Sequence, residues 1–420
     1  MAPHLLPPPS APPVRDRRQA PRRAAILDAA WDRFARYGPD GTPLRDVATD
    51  AGCTHALVAR YFGSKDGLVD AVGDRLVARV ARTVDDVVLG APDPAYALLS
   101  FGREHPSSVQ LLVRCALGDL QPQGFPDCVR PEWVLSSTRA RSTAQGTRAD
   151  RRARLCAYGA SSLLFGWLTF EGFLVAATRL GRVGARRRDL AIAAAVGSLM
   201  DVAGTPRPAL ASRDLSHLAI ERPAFGSAAQ SAREALLQSA IELFAESGPA
   251  SVSVRDIARH AGVNQALIYR HFGSKQVLLT EAIEVGSADL FPAARSSSGF
   301  DFDAMSYLMH HGSPAPRLVA RTLVDGIDIT TVRTKFPILW SLLDRFEPSS
   351  TSVGPLHHSD PRVAVAAAAG MALGSVVWGE HLRPALGLSE HDDHEAALAD
   401  LARTLIATPR RVDDDRGRPR

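Results

Sequence analysis

Lysine is nearly absent from this 420-residue chain: of 49 basic residues only three are Lys, at positions 65, 275 and 335. Aromatics make up 6% of the sequence, and the four Cys (Cys53, Cys115, Cys128, Cys156) all lie in the first half without C-x-x-C spacing. That excludes a disulfide framework or thiolate metal site and fits reduced thiols. Sustained apolar–polar alternation is missing, which argues against sheet. Two uncharged stretches, Leu155–Phe170 and Val363–Gly379, are too short for a bilayer and are interrupted by Gly and Ser, so they read as buried helices. There is no Gly-rich phosphate loop, no G-x-S-x-G and no metal motif with ligand spacing, so neither catalysis nor a cofactor is expected. The first 23 residues are Pro- and Arg-rich with no apolar segment, unlike a signal peptide, and the expected location is cytoplasmic.

Positive charge is local. The net charge is +4, yet residues 1–23 carry five Arg against one Asp, and the tail from Pro409 carries five Arg against three Asp. The body between them is slightly acidic. Affinity for a polyanion must therefore come from clusters and arms, not from a globally basic surface.

What the chain does have is a repeat. Shifting it by 210 positions without a gap lays Arg23–Lys65 on Arg233–Lys275, with 20 of 43 pairs identical. A single ungapped shift of this length indicates a duplicated domain. Two of the three Lys, Lys65 and Lys275, fall at the same place in both copies. Either both descend unchanged from one ancestor, or a compact ammonium is wanted there for a phosphate.

Within the second copy, Ser253–Lys275 reads as helix, tight turn, helix. Ser253 is a good N-cap, and Val254, Ile257 and Ala258 form one apolar face. Ala261-Gly262 supplies the stop. Asn264 caps a second helix with Leu267 and Ile268 inward and Gln265, Ala266, Tyr269 and Arg270 outward. This is a helix-turn-helix of the DNA-reading kind. In the first copy Thr42 is the expected N-cap with Pro43 at the first helical position; Ala51-Gly52 turns the chain and Thr54 caps the second helix.

The remaining helices are expected near 21–37, 65–80, 151–180 and 186–202, then 229–246, 318–331, 338–346, 361–383 and 390–406, with short helices over 92–148 and a flexible stretch at 296–299. The chain divides into a disordered basic arm (1–19), a head (20–80), a helical body (81–204), a linker (205–228), a second head (229–290), a second body (291–408) and a tail (409–420). The fold class is all-α, built from two tandem units.

The pattern Arg255-Asp256-Ile257-Ala258, Ala261-Gly262-Val263 and Leu267-Ile268-Tyr269-x-His271-Phe272-x-Ser274-Lys275 resembles the DNA-binding domain of TetR-type transcriptional regulators. The first copy is similar but departs at Ala59, where Tyr is usual, and at Tyr61, where His is frequent. The resemblance covers about 45 residues in each half. It implies a helical repressor, less often an activator, whose C-terminal helices bind a small-molecule effector and dimerise, and whose partner is a double-stranded DNA operator. Here two units share one chain, so the helix pairs 151–202 and 361–406 are expected to form an intrachain four-helix interface; dimerisation between chains is the alternative.

Major-groove readout needs side chains at the N-terminal end of the recognition helix, and phosphates need donors around it. For the second head, Gln265 and Arg255 are the base-reading candidates. Ser253, Asn264, Ala266, Tyr269, Arg270, His271 and Lys275 complete the surface. In the first head the corresponding set is His55 and Arg45 for bases, with Thr42, Thr54, Arg60, Tyr61 and Lys65. Against this, Arg45 and Arg255 can equally serve as ion-pair partners of nearby acids. Phe62 and Phe272 read as core. Because the heads differ at almost every exposed reading position, the expected operator is asymmetric. A scaffold with degenerate heads that bind no DNA is the rival reading.

Trp167, Phe170, Trp340 and Trp378 are the candidates for lining an effector pocket, although aromatics at helical spacing are more often core. The cluster His391-Asp392-Asp393-His394-Glu395 reads either as a metal site or as a helix start with a Ser389–Asp392 capping box. His310-His311 and His357-His358 read as loop residues.

Overall fold

The computed structural model describes residues 14–129, 131–142, 146–204, 215, 228–287, 295–296, 299–311, 313–328, 337–344, 360–389 and 392–407. The expected linker falls almost wholly outside this set, as do His357, His358 and His391.

The first unit begins with α1 (Val14–Tyr37), α2 (Leu44–Asp50), α3 (His55–Phe62) and α4 (Lys65–Thr83), the last running into a π-turn at Val84–Val88. Then come α5 (Pro94–Glu104), α6 (Pro106–Ala116), α7 (Phe125–Cys128), α8 (Glu132–Arg141), α9 (Thr147–Ala177) and α10 (Ala185–Asp201). The second unit repeats the order with α11 (Ala228–Ser247), α12 (Val254–His260), α13 (Ala266–Phe272), α14 (Lys275–Gly286), α15 (Phe302–His311), α16 (Ala315–Val324), α17 (Pro337–Leu343), α18 (Pro361–Ala385) and α19 (His394–Ala407). The fold is all-α in two tandem units.

Several boundaries differ from the sequence reading. Helix α1 starts at Val14, inside the expected disordered arm, and carries Pro21 in its interior. The stretch expected to be flexible at 296–299 includes a two-residue antiparallel ladder, Arg295↔Phe300 and Ser296↔Gly299. Helix α16 ends at Val324, seven residues early, because Gly326 takes a left-handed backbone at φ 74°. His310 and His311 are not loop residues: they form the last turn of α15.

The two units meet along α9 and α18. A Cβ added to Gly166 would lie 1.9 Å from the Gly370 carbonyl oxygen, and one added to Gly374 would lie 2.0 Å from that of Ser162. Backbone therefore rests on backbone, an approach open only to Gly. Around this seam Trp378 stacks on Phe165 with centroids 4.7 Å apart and donates through Nε1 to Thr169 Oγ1 at 3.0 Å. Helices α10 and α19 flank the pair, and each touches both α9 and α18. Two helices here, α9 and α18, are long and apolar enough to cross a bilayer, but 56% and 72% of their most apolar windows are buried inside the protein. Their apolarity serves this packing.

A second junction is ionic. Arg114 of α6 and Arg321 of α16 are both 2% exposed. Arg114 reaches Asp325, just past α16, at 2.8 Å, while Arg321 reaches Asp119, just past α6. The pairs cross between units in reciprocal fashion. Arg114 also donates to the carbonyls of Ala35 (3.0 Å) and Arg36 (2.9 Å) at the end of α1, and Asp325 accepts the Ala250 amide at 2.7 Å. One buried network thus holds the C-terminal end of α1 in the first head and the α11–α12 turn in the second.

Candidate nucleic-acid interface

Each head packs α2 and α3, or α12 and α13, against its first helix around the same core: Phe34, Val47 and Val58 in one, Phe244, Ile257 and Ile268 in the other. The turn between the short helices needs a left-handed residue, supplied by Gly52 (φ 61°) and Gly262 (φ 67°). Arg23 lies 5.0 Å above the Phe62 ring and Arg233 lies 4.9 Å above Phe272. This matched cation–π pair fixes the far end of each recognition helix; Phe272 is buried in the core as the sequence implied, while Phe62 is half-buried and packs against it. Neither Arg was singled out from sequence, although Arg23/Arg233 and Phe62/Phe272 are identical pairs in the repeat.

Between the heads, position by position from Thr42/Val252 to Tyr61/His271, burial differs at one place. Ala59 is half-buried, whereas Tyr269 is 56% exposed. The exposed surface of the first head holds Arg45, Thr54, His55 and Arg60, with Tyr61 and Lys65 half-buried. The second exposes Ser253, Arg255, Asn264, Gln265, Ala266, Tyr269 and Arg270, with His271 and Lys275 half-buried.

Thr42 must be withdrawn from the surface set. It is fully buried, and its hydroxyl donates to the Gly38 carbonyl at 2.8 Å. Pro43, not Thr42, occupies the N-cap of α2. Its counterpart Val252 is buried too, so this position serves the α1–α2 turn. Ser253 behaves as expected: it forms a capping box with Asp256, accepting the Asp256 amide at 3.2 Å while Asp256 accepts the Ser253 amide at 3.0 Å. The Ser253 hydroxyl also donates to the Asp256 carboxylate, and this bond, with that from the Ser253 amide, holds the carboxyl below the usual carboxylate range. Asn264 lies one residue ahead of the N-cap position of α13, which Gln265 occupies, and its Oδ1 accepts the Ala266 amide at 2.9 Å. Thr54 sits at the N-cap of α3 without such a bond.

The arginine readings separate on geometry. Among the described residues Arg45 pairs only with its neighbour Asp46, at 3.6 Å, with the side chain 84% exposed. In the second head Asp256 is engaged instead by Arg259. Exposed pairs of this kind are weak and leave the guanidinium available. Lys275 is less free. Its ammonium donates to the Pro249 carbonyl and lies 6.0 Å from the Phe244 centroid, and burial pulls its pKa down. Ser64 and Ser274 cap α4 and α14 by accepting the amides of Gly67 (3.1 Å) and Val277 (3.2 Å), which sets the start of the helices carrying Lys65 and Lys275.

The aromatic residues expected at an effector site are dispersed. Trp167 is buried and donates to Asp189 at 3.3 Å; Phe170 is core; Trp340 donates to the Ala177 carbonyl at 3.1 Å; Trp378 belongs to the α9–α18 seam. Trp167 does line the recess of the first unit, but none of the four lines the apolar cavity of the second, which is walled mainly by Ala, Leu, Phe and Met. Short side chains leave the space, and counting large rings could not locate it. Among the described residues no group of three His, Cys, Asp or Glu is placed to hold a metal.

A compact head with an exposed helix N-terminus, present twice, defines a helix-turn-helix DNA-binding protein. The domain family described as bacterial regulatory proteins, tetR family, matches twice, over residues 26–72 and 236–282. The HTH-type transcriptional repressor Rv3405c of Mycobacterium tuberculosis is 35% identical over 167 residues, covering 39% of this chain and 82% of the relative. The regulator Mb3439c of Mycobacterium bovis matches to the same extent. The regulator BetI of Agrobacterium fabrum is 45% identical over 58 residues, 14% of this chain and 28% of its own length. The chain belongs to the TetR family and is a DNA-binding transcriptional regulator.

Proposed function

We propose that this protein is a ligand-responsive repressor in which one chain supplies both reading heads, acting as an intrachain pseudo-dimer on an asymmetric operator. The observation that carries this reading is the α9–α18 seam. Two complete units, each a head (20–80 and 229–290) with its helical body (81–204 and 291–408), are joined there by direct backbone contact between Gly166, Gly370 and Gly374. Matching burial from Thr42/Val252 to Tyr61/His271, except at Ala59/Tyr269, supports use of both heads.

On the DNA, Gln265 and Arg255 read bases for the second head, and His55 and Arg45 for the first. Tyr269, His271 and Lys275, with Tyr61, Lys65 and Thr54, face the phosphates. Tyr269 has no counterpart in the first head, so the second holds the backbone more firmly. A mobility shift on the protein's own promoter at two salt concentrations tests this. Sequence-specific, salt-sensitive retention supports it, and equal retention of random DNA overturns it. Selection of a perfect palindrome from random sequence would overturn the asymmetric operator.

A further inference from the structure

The four body helices correspond in order: α5, α6, α9 and α10 with α15, α16, α18 and α19. Each set encloses a recess, and each recess borrows a wall from the other unit, Leu323 and Val324 in the first and Phe173 in the second. Their chemistry has diverged. In the first unit Arg103 pairs with the buried Asp189 at 2.7 Å and with Glu171 at 2.9 Å, and Arg188 also holds Glu171 at 2.9 Å. Trp167 completes Asp189. The charges satisfy one another, so an ionic ligand would have to break these pairs and an apolar one would strip them of water.

The second recess, of about 130 Å³, has no charged side chain among the described residues of its lining. Its two hydroxyls are already committed: Ser287 donates to the Ile283 carbonyl at 2.8 Å and Ser306 to that of Glu395 at 3.2 Å. Neither hydroxyl has a proton left for a carboxylate, and two hydroxyl oxygens leave an ammonium largely unsolvated. Met305, Met309, Phe173 and Phe302 offer polarisable sulfur and ring edges suited to an aromatic ring. An apolar cavity of roughly 150 Å³ stays dry and accepts benzene.

We infer that the chain binds one small uncharged aromatic or similarly compact apolar molecule, in the second unit alone, and that its occupancy loosens both heads through α16. Pro316 and Val319 of α16 form part of the cavity wall. Further along the same helix Arg321 and the following Asp325 hold the crossed ion pairs that fasten α1 and the α11–α12 turn. A shift of α16 therefore reaches both heads. The effect on DNA rests on the regulator reading above; the binding does not.

The test uses the full chain with toluene and benzoate, which differ chiefly in charge. Calorimetry should give one toluene per chain and no benzoate binding. Ala402→Phe, on the α19 wall, should lower toluene affinity at least tenfold while keeping helical circular dichroism, and Ala369→Val gives a milder filling should the larger ring disturb folding. Arg103→Met, in the other recess, should leave toluene affinity unchanged. Saturating toluene should release promoter DNA from both half-sites together in a footprint. Two toluenes per chain, benzoate binding, or undiminished binding in both filled variants overturns the site. Toluene bound at one per chain with an unchanged footprint overturns its action on the heads. Failure to bind DNA without toluene refutes the regulator reading while calorimetry still reads the site.

Discussion

Replacing Gly166 by Ala probes the seam with a single methyl group. The new Cβ would sit 1.9 Å from the Gly370 carbonyl oxygen and 2.8 Å from its carbonyl carbon. Both are backbone atoms, so no rotamer change relieves the clash and α9 must part from α18. On the same helix, Gly172→Ala places its Cβ 3.8 Å from a Leu323 methyl, an ordinary contact. Both substitutions stabilise a helix interior by roughly 0.5–1 kcal/mol. That contribution cancels between them, and their difference isolates overpacking, about 1–3 kcal/mol and here at the upper end. Urea denaturation followed by circular dichroism measures the difference. Gly172→Ala should unfold at slightly higher urea than the parent and Gly166→Ala at clearly lower. Coincident curves for the two variants would refute close backbone packing at the seam.

Arg114→Met leaves the buried Asp325 without its main partner and should destabilise the chain by about 3–5 kcal/mol, whereas the double variant with Asp325→Leu should recover much of that loss, as read by a double-mutant cycle. Gln265→Ala should leave stability unchanged and relax preference at one base position, while Lys275→Ala should weaken binding to all sequences, flatten the salt slope and, because its ammonium holds Pro249, lower the stability of the second head by roughly 1 kcal/mol. His310 is packed among Ser306, Ser375, His311, His394 and Glu395, and burial lowers its pKa below the ordinary 6.5. The unfolded chain then binds the proton more readily, so stability should fall as pH drops through 6.5 and below, and His310→Gln should blunt that dependence in denaturation curves.

The heads were legible because their signals are local. Caps, a left-handed Gly and an apolar period all act within a few residues, and the repeat printed them twice. The long helices α9 and α18 were equally visible as uncharged runs. Their register was not, since the fit of Gly166 against Gly370 depends on two segments some 200 residues apart. Thr42 misled because Ser, Thr and Asp at a helix start usually cap it, and only the packed turn shows its hydroxyl facing the Gly38 carbonyl. The crossed Arg114–Asp325 and Arg321–Asp119 pairs are ordinary charges in the sequence; burial is what gives them weight. The cavity was hidden for the opposite reason, since it is made by what Ala side chains leave empty.

The central claim, that one chain carries a complete two-headed reader, is tested most directly by light scattering of the protein at micromolar concentration, alone and on a promoter fragment. The account predicts the mass of a single chain, 44.9 kDa, in solution and one chain per operator on DNA. Twice that mass in both states would contradict it and would place the dimer between chains.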